Sequence, residues 1–163
     1  MTIITTVVKV GIADLKVTQI PNTLKTSGLG SCVGVVIYEQ KIAGLAHVML
    51  PDSTASKKRL VNEMKYADTS IDLLLEQLLT EGVNKSKLKA KIAGGAHMFS
   101  FQSNNNMLKI GERNVEAVLT KLREHKIPVV AQDVGGNKGR TIEFDIETGM
   151  LEVRTVNSGI MQI

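Results

Sequence analysis

The chain has 163 residues, of which 43% are hydrophobic and 3% aromatic, with one Cys, no Trp and a formal net charge of +4. A lone cysteine excludes an internal disulfide framework, no stretch reaches the ~18 apolar residues of a membrane span, and Met1-Thr2-Ile3-Ile4-Thr5-Thr6 does not read as a signal peptide. A single cytoplasmic domain over 1–163, with no membrane insertion, is therefore expected, and scattered lysines with few aromatics argue against nucleic-acid binding.

Val7–Val10 and Leu15–Ile20 read as short β-rich pieces, broken by Gly11 and Pro21-Asn22. The segment Lys25-Thr26-Ser27-Gly28-Leu29-Gly30-Ser31 reads as a glycine-rich turn ahead of a β-branched strand, Val33–Tyr38. A second strand, Ile42–Leu50, follows after Glu39-Gln40-Lys41. Residues 52–59 are small, polar and basic, the pattern of a loop. From Leu60, apolar residues recur at Val61, Met64, Ala67, Ile71, Leu74, Leu75, Leu78 and Leu79, which predicts an amphipathic helix ending near Gly82. Lys89–Ala93 reads as a strand ending in the turn Gly94-Gly95. A second helix is predicted from Glu112 to His125, burying Val115, Val118, Leu119 and Leu122. Strands are then predicted from Pro128, over Thr141–Ile146, and, after a turn at Thr148-Gly149, over Leu151–Val156. Strands grouped around two helices indicate an α+β domain with a mixed or antiparallel sheet.

The chemistry-bearing pattern is Cys32 behind that glycine-rich turn, followed by His47 on the next apolar segment. A two-residue loop at Gln40-Lys41 pairs Glu39 with Ile42, and by extension Gly34 with His47 and Cys32 with Met49. Cys32 and His47 then share one face as diagonal neighbours, with Cβ atoms roughly 7–8 Å apart; an odd loop would separate them. Gly28, Gly30 and Gly34 admit close approach to the backbone, and successive N–H groups there can hold an oxyanion. A histidine beside a thiol draws it toward the thiolate, the reactive form. The same residues also fit a plain core, since free cysteines are mostly buried, and Thr26 taken alone fits a turn residue whose hydroxyl caps local backbone.

At Thr26-Ser27-Gly28-Leu29-Gly30-Ser31-Cys32-Val33 and Ala46-His47-Val48-Met49-Leu50-Pro51 the chain resembles the CheD family of chemoreceptor glutamine deamidases. The likeness continues at Lys91–Ala96, at Ile110-Gly111-Glu112-Arg113-Asn114 and at Gly135–Arg140. It implies a sheet sandwich flanked by two or three helices, similar to the catalytic fold of glutamine-deamidating toxins. It also implies conversion of glutamine side chains to glutamate in the cytoplasmic helices of methyl-accepting chemotaxis receptors. The implied triad is Cys32, His47 and Thr26, with Gly30 and Ser31 supplying backbone to the oxyanion, and no metal or cofactor. The CheC phosphatase is implied as a partner, which leaves a mainly non-catalytic CheC- and receptor-binding regulator as an alternative. A cysteine peptidase or transglutaminase-like acyl transferase would share the thiol and imidazole.

Other features read as structural. His97 follows the Gly-Gly turn as an exposed or packed loop residue, and His125 closes a helix, where a cation suits the dipole. Gly135–Arg140 lacks phosphate-loop spacing and reads as a β-turn connection. Lys57, Lys58 and Arg59 could face an acidic receptor surface, and Met98-Phe99-Ser100-Phe101 reads as a core anchor or an exposed docking tip.

Overall fold

A computed structural model of the chain describes residues 4–55, 62–98 and 109–163. Its two five-stranded sheets pack face to face, and two helices cover the outer face of one of them. The first sheet has the order β1 (Val7–Lys9), β3 (Thr23–Leu29), β8 (Arg140–Asp145), β9 (Met150–Thr155) and β10 (Gly159–Gln162). The second has the order β2 (Leu15–Gln19), β5 (Ile42–Val48), β4 (Val33–Tyr38), β6 (Lys89–Gly94) and β7 (Val129–Val134). Both sheets are mixed: β1–β3 and β6–β7 are parallel and the other pairs antiparallel. The expected α+β sandwich flanked by helices is the observed architecture.

Alternation along the strands builds two cores. On β4, Val33, Val35 and Ile37 point toward the helices α1 (Ala67–Thr80) and α2 (Ile110–Glu124). They meet Ile71, Leu74, Leu75 and Leu78 from α1, and Val118 and Leu122 from α2. Val36 on the opposite face joins Ala43 and Leu45 of β5 against Leu24, Leu29, Ile142, Phe144, Leu151 and Val153 of the first sheet. Each fully buried Leu, Ile or Phe contributes about 1.5–3 kcal/mol, so an aliphatic chain with few aromatics still fills both layers.

The hairpin β4–β5 has the predicted register, with Gly34 opposite His47 and Val33 opposite Val48. Three boundaries differ from the sequence reading. Residues 23–29 form a strand, interrupted by a bulge where Gly28 takes φ +73°. The first helix begins at Ala67, because Tyr66 is extended and bridges Leu50, with the Ala67 N–H donating to the Leu50 carbonyl. The C-terminal strand β10, pairing with β9, has no strong alternation in sequence and was not anticipated. Gly135 and Gly136, at φ +85° and +72°, turn the chain from β7 in one sheet to β8 in the other.

Candidate active site

Cys32 occupies the three-residue turn between β3 and β4, so it sits where the chain crosses from one sheet to the other. Every carbonyl of that turn is held from outside. The Gly30 oxygen accepts from the Ala96 N–H at 2.8 Å, and the Cys32 oxygen from the Gly95 N–H at 2.8 Å. The Ser31 oxygen accepts from Asn114 Nδ2 at 2.9 Å. A planar trans peptide points its N–H opposite to its carbonyl. Fixing the Gly30 and Ser31 carbonyls inward therefore aims the Ser31 and Cys32 N–H groups the other way. Among the described residues, no other residue's carbonyl accepts from either N–H. The Gly30 N–H, in contrast, donates to the Gly28 carbonyl at 3.1 Å.

The Gly94-Gly95 turn makes this clasp possible. Gly94 has φ +118°, and a Cβ there would overlap the Cys32 carbonyl oxygen. Arg140 braces the same turn: its Nε donates to Asp133 Oδ2 at 3.0 Å and its Nη1 to the Gly94 carbonyl at 3.3 Å. The Gly135 N–H donates to that carbonyl as well, at 3.0 Å.

His47 lies on the inner face of β5 and is 0% exposed. Thr26 reaches it from β3 of the facing sheet, with Oγ1 2.7 Å from His47 Nδ1. Thr26 Oγ1 also donates to the Val10 carbonyl at 2.7 Å. A hydroxyl has one proton, and a carbonyl only accepts. The Thr26 proton is thus committed to Val10, and Nδ1 must donate to Thr26. The neutral ring therefore carries its proton on Nδ1 and presents a lone pair at Nε2, which has no partner among the described residues. Burial lowers the imidazole from 6.5 to about 4, which keeps it neutral.

Cys32 is half-buried and packs at the edge of the inter-sheet core, the layer that also receives His47's strand face. Burial raises its thiol above the ordinary value, and its own backbone N–H pulls partly the other way. Both shifts favour a neutral thiol and a neutral imidazole, rather than the thiolate that the sequence pattern suggests, and no hydrogen bond joins the two side chains. Such a pair can pass the thiol proton to Nε2 as a bond forms to sulfur.

The remaining candidates disperse. The exposed His97 donates its backbone N–H to the Gly136 carbonyl and packs in no site. His125 caps α2 and sits 2.6 Å from Asp72 Oδ1 on the surface. Lys57, Lys58, Arg59, Phe99, Ser100 and Phe101 lie outside the described residues. Met98 is exposed, and its side chain covers Gly30, where an added Cβ would lie 3.0 Å from Met98 Cγ. Among the described residues, no group of His, Cys, Asp and Glu could hold a metal ion. No described helix is long and apolar enough to cross a membrane.

Asn114 was missed by sequence reading. It is 0% exposed on α2 and falls on the same stripe as Val118 and Leu122. A poor helix former set among apolar positions at helical spacing was the available signal.

Residues 49–155 match the family model described as CheD chemotactic sensory transduction. The chain is 60% identical over 159 residues to a Halalkalibacterium halodurans protein named chemoreceptor glutamine deamidase CheD, covering 96% of this chain and 98% of that one. It is 52% identical over 155 residues to the Bacillus subtilis protein of that name, covering 94% and 93%. A probable chemoreceptor glutamine deamidase CheD of Oceanobacillus iheyensis is 55% identical over 161 residues, covering 98% and 97%.

Proposed function

The chain belongs to the CheD family, and on that premise we propose that it is a protein-glutamine deamidase of chemotaxis receptors, working through Cys32, His47 and Thr26. The observation that carries this reading is the tautomer fixed by Thr26: with Nδ1–H donating to Thr26, Nε2 is left with its lone pair available to act as the base for Cys32. In the first half-reaction the Cys32 sulfur adds to the side-chain amide carbon while its proton moves to Nε2. The oxygen that becomes negative takes hydrogen bonds from the Ser31 and Cys32 N–H groups. Collapse breaks the C–N bond, and the proton on Nε2 leaves with ammonia. In the second, a water gives a proton to Nε2 and adds to the thioester. The C–S bond then breaks, glutamate forms, and the proton returns to sulfur. Thr26 orients the ring throughout. As a neutral hydroxyl it stabilises imidazolium less than a carboxylate would.

The substrate side chains are glutamines on receptor cytoplasmic helices, and the protein acts in the cytoplasm. A cavity of about 630 Å³ lies around Tyr38 and Gly149, at the far end of β4 from Cys32. A half-buried thiol at a strand crossover suits a side chain offered by a macromolecule. Binding of the CheC phosphatase is part of the same proposal and rests on the family resemblance. Cys32→Ala should abolish deamidation and leave that binding intact.

The test is incubation with receptor cytoplasmic fragments, mapped by mass spectrometry. A gain of about one dalton at defined glutamines, with ammonia released and none of it for Cys32→Ala, is the expected result. Backbone cleavage or amine incorporation in place of ammonia release would favour a peptidase or transglutaminase-like reaction. No gain on several receptors would sink the reading.

A further inference from the structure

We infer that Asn114 is a positioning residue for the oxyanion site, setting the direction of the Cys32 backbone N–H. Its amide donates twice, to the Ser31 carbonyl at 2.9 Å and to the Met49 carbonyl at 2.9 Å. Those carbonyls lie at the open end of the β4–β5 hairpin, one beside each strand. Ser31 precedes Cys32, and Met49 directly follows β5, next to Val48, which pairs with Val33. One buried side chain therefore ties the Cys32 turn to the strand that carries His47.

The Ser31 carbonyl and the Cys32 N–H share one peptide plane, so holding the first aims the second. A hydrogen bond to the carbonyl also polarises the amide and strengthens the N–H as a donor. Two of the three carbonyls in the turn are held by backbone N–H groups, from Ala96 and Gly95. The Ser31 carbonyl alone is held by a side chain, which makes the orientation of the Cys32 N–H open to substitution.

Helix α2 is seated for this task. Gly111 lies one turn before Asn114, and a Cβ there would overlap the Ala96 carbonyl oxygen. The helix thus approaches the Gly95-Ala96 backbone closely enough to bring Asn114 to Ser31. Both amide protons of Asn114 are used, while its Oδ1 has no partner among the described residues. Burying an unpartnered acceptor costs about 1–3 kcal/mol. What the amide gains in return is its two donated hydrogen bonds.

The proposal rests on Cys32 being the nucleophile, and its test separates two reactions of that thiol. Acylation by p-nitrophenyl acetate forms a C–S bond, places negative charge on the carbonyl oxygen, and expels p-nitrophenolate. Alkylation by iodoacetamide forms a C–S bond at a saturated carbon, expels iodide, and develops no oxyanion. Asn114→Leu keeps the branched heavy-atom shape and removes both donors; Asn114→Ser leaves one donor and keeps the position polar should the leucine variant fail to fold. Folding is verified by thermal melting.

The expected result is a fall of about tenfold or more in acylation of Cys32, with alkylation and its pH dependence unchanged within about threefold. Equal losses in both reactions, no loss in either, no acylation of Cys32 in the wild type, or failure of both variants to fold would overturn the proposal. Deamidation of receptor fragments by the wild type is measured alongside. Its absence would sink the deamidase reading, while the ratio of the two small-molecule rates still decides the role of Asn114.

Discussion

The Thr26 hydroxyl accepts a hydrogen bond from His47 Nδ1 across the interface between the two sheets, because its own proton is committed to the Val10 carbonyl. Three strands of the fold meet in that relay. Val10, directly after β1, fixes the hydroxyl of β3, and the hydroxyl fixes the ring of β5.

Thr26→Val should therefore do more than remove a contact. It leaves the buried Nδ1–H without an acceptor, at about 1–3 kcal/mol of stability, and releases the tautomer. We expect kcat on receptor fragments to fall by about 10–100-fold or more with KM little changed. Thr26→Ser, which keeps the hydroxyl, should restore most of it. Ring nitrogen chemical shifts report the tautomer directly: Nδ1–H in the wild type, and a mixture in the valine variant.

Stability in acid should carry the imprint of His47. Burial lowers its pKa from 6.5 to about 4. Between those values the unfolded chain binds more protons than the folded one, so stability falls as the pH drops. His47's contribution is complete above about pH 6.5 and is lost as the pH passes through about 4. Urea denaturation of wild type and His47→Gln across that range should give curves that converge toward acid. Parallel curves would show that His47 is not held neutral by burial.

Cys32 should react as a raised thiol. Burial pushes it above its ordinary value, with no thiolate stabilised by an imidazolium at neutral pH. The iodoacetamide rate should climb steadily from pH 6 through 9, following the growing thiolate fraction. A plateau beginning below pH 6 would instead identify a resting thiolate–imidazolium pair.

Two glycines near Cys32 should respond oppositely to alanine. At Gly94 a Cβ would overlap the Cys32 carbonyl oxygen, in a backbone conformation of φ +118°. Gly94→Ala should cost several kcal/mol and disorganise the turn. At Gly30 the added Cβ would meet Met98 Cγ at 3.0 Å, on an exposed and flexible side chain. Gly30→Ala should fold within about 1 kcal/mol of wild type, since Met98 can move aside. Denaturant midpoints of the two variants decide this.

The hairpin that sets Gly34 opposite His47 was legible in the sequence because it depends on local arithmetic. A β-branched run, a two-residue loop and an apolar run fix a register, and the register fixes which face of β5 carries His47. Thr26 was not legible from the residues in the same way. Its strand is masked by Gly28 and by polar Lys25 and Ser27, and its partner lies in the other sheet. Family resemblance supplied Thr26; packing of the two sheets gives it a physical reason. Asn114 escaped for a similar cause, since what it binds are carbonyls far away along the chain. The early start predicted for α1 failed because apolar spacing at Met64 was read as helix, while the extended Tyr66 bridges Leu50 ahead of Ala67.

The central claim is that Cys32 attacks a glutamine side chain, and the most direct measurement is peptide mapping of Cys32 after rapid acid quench during turnover on a receptor fragment. The account predicts a thioester joining Cys32 to the substrate glutamine, with the mass of the substrate peptide less one ammonia, and neither adduct nor product for Cys32→Ala. Deamidation that continues in Cys32→Ala would contradict it.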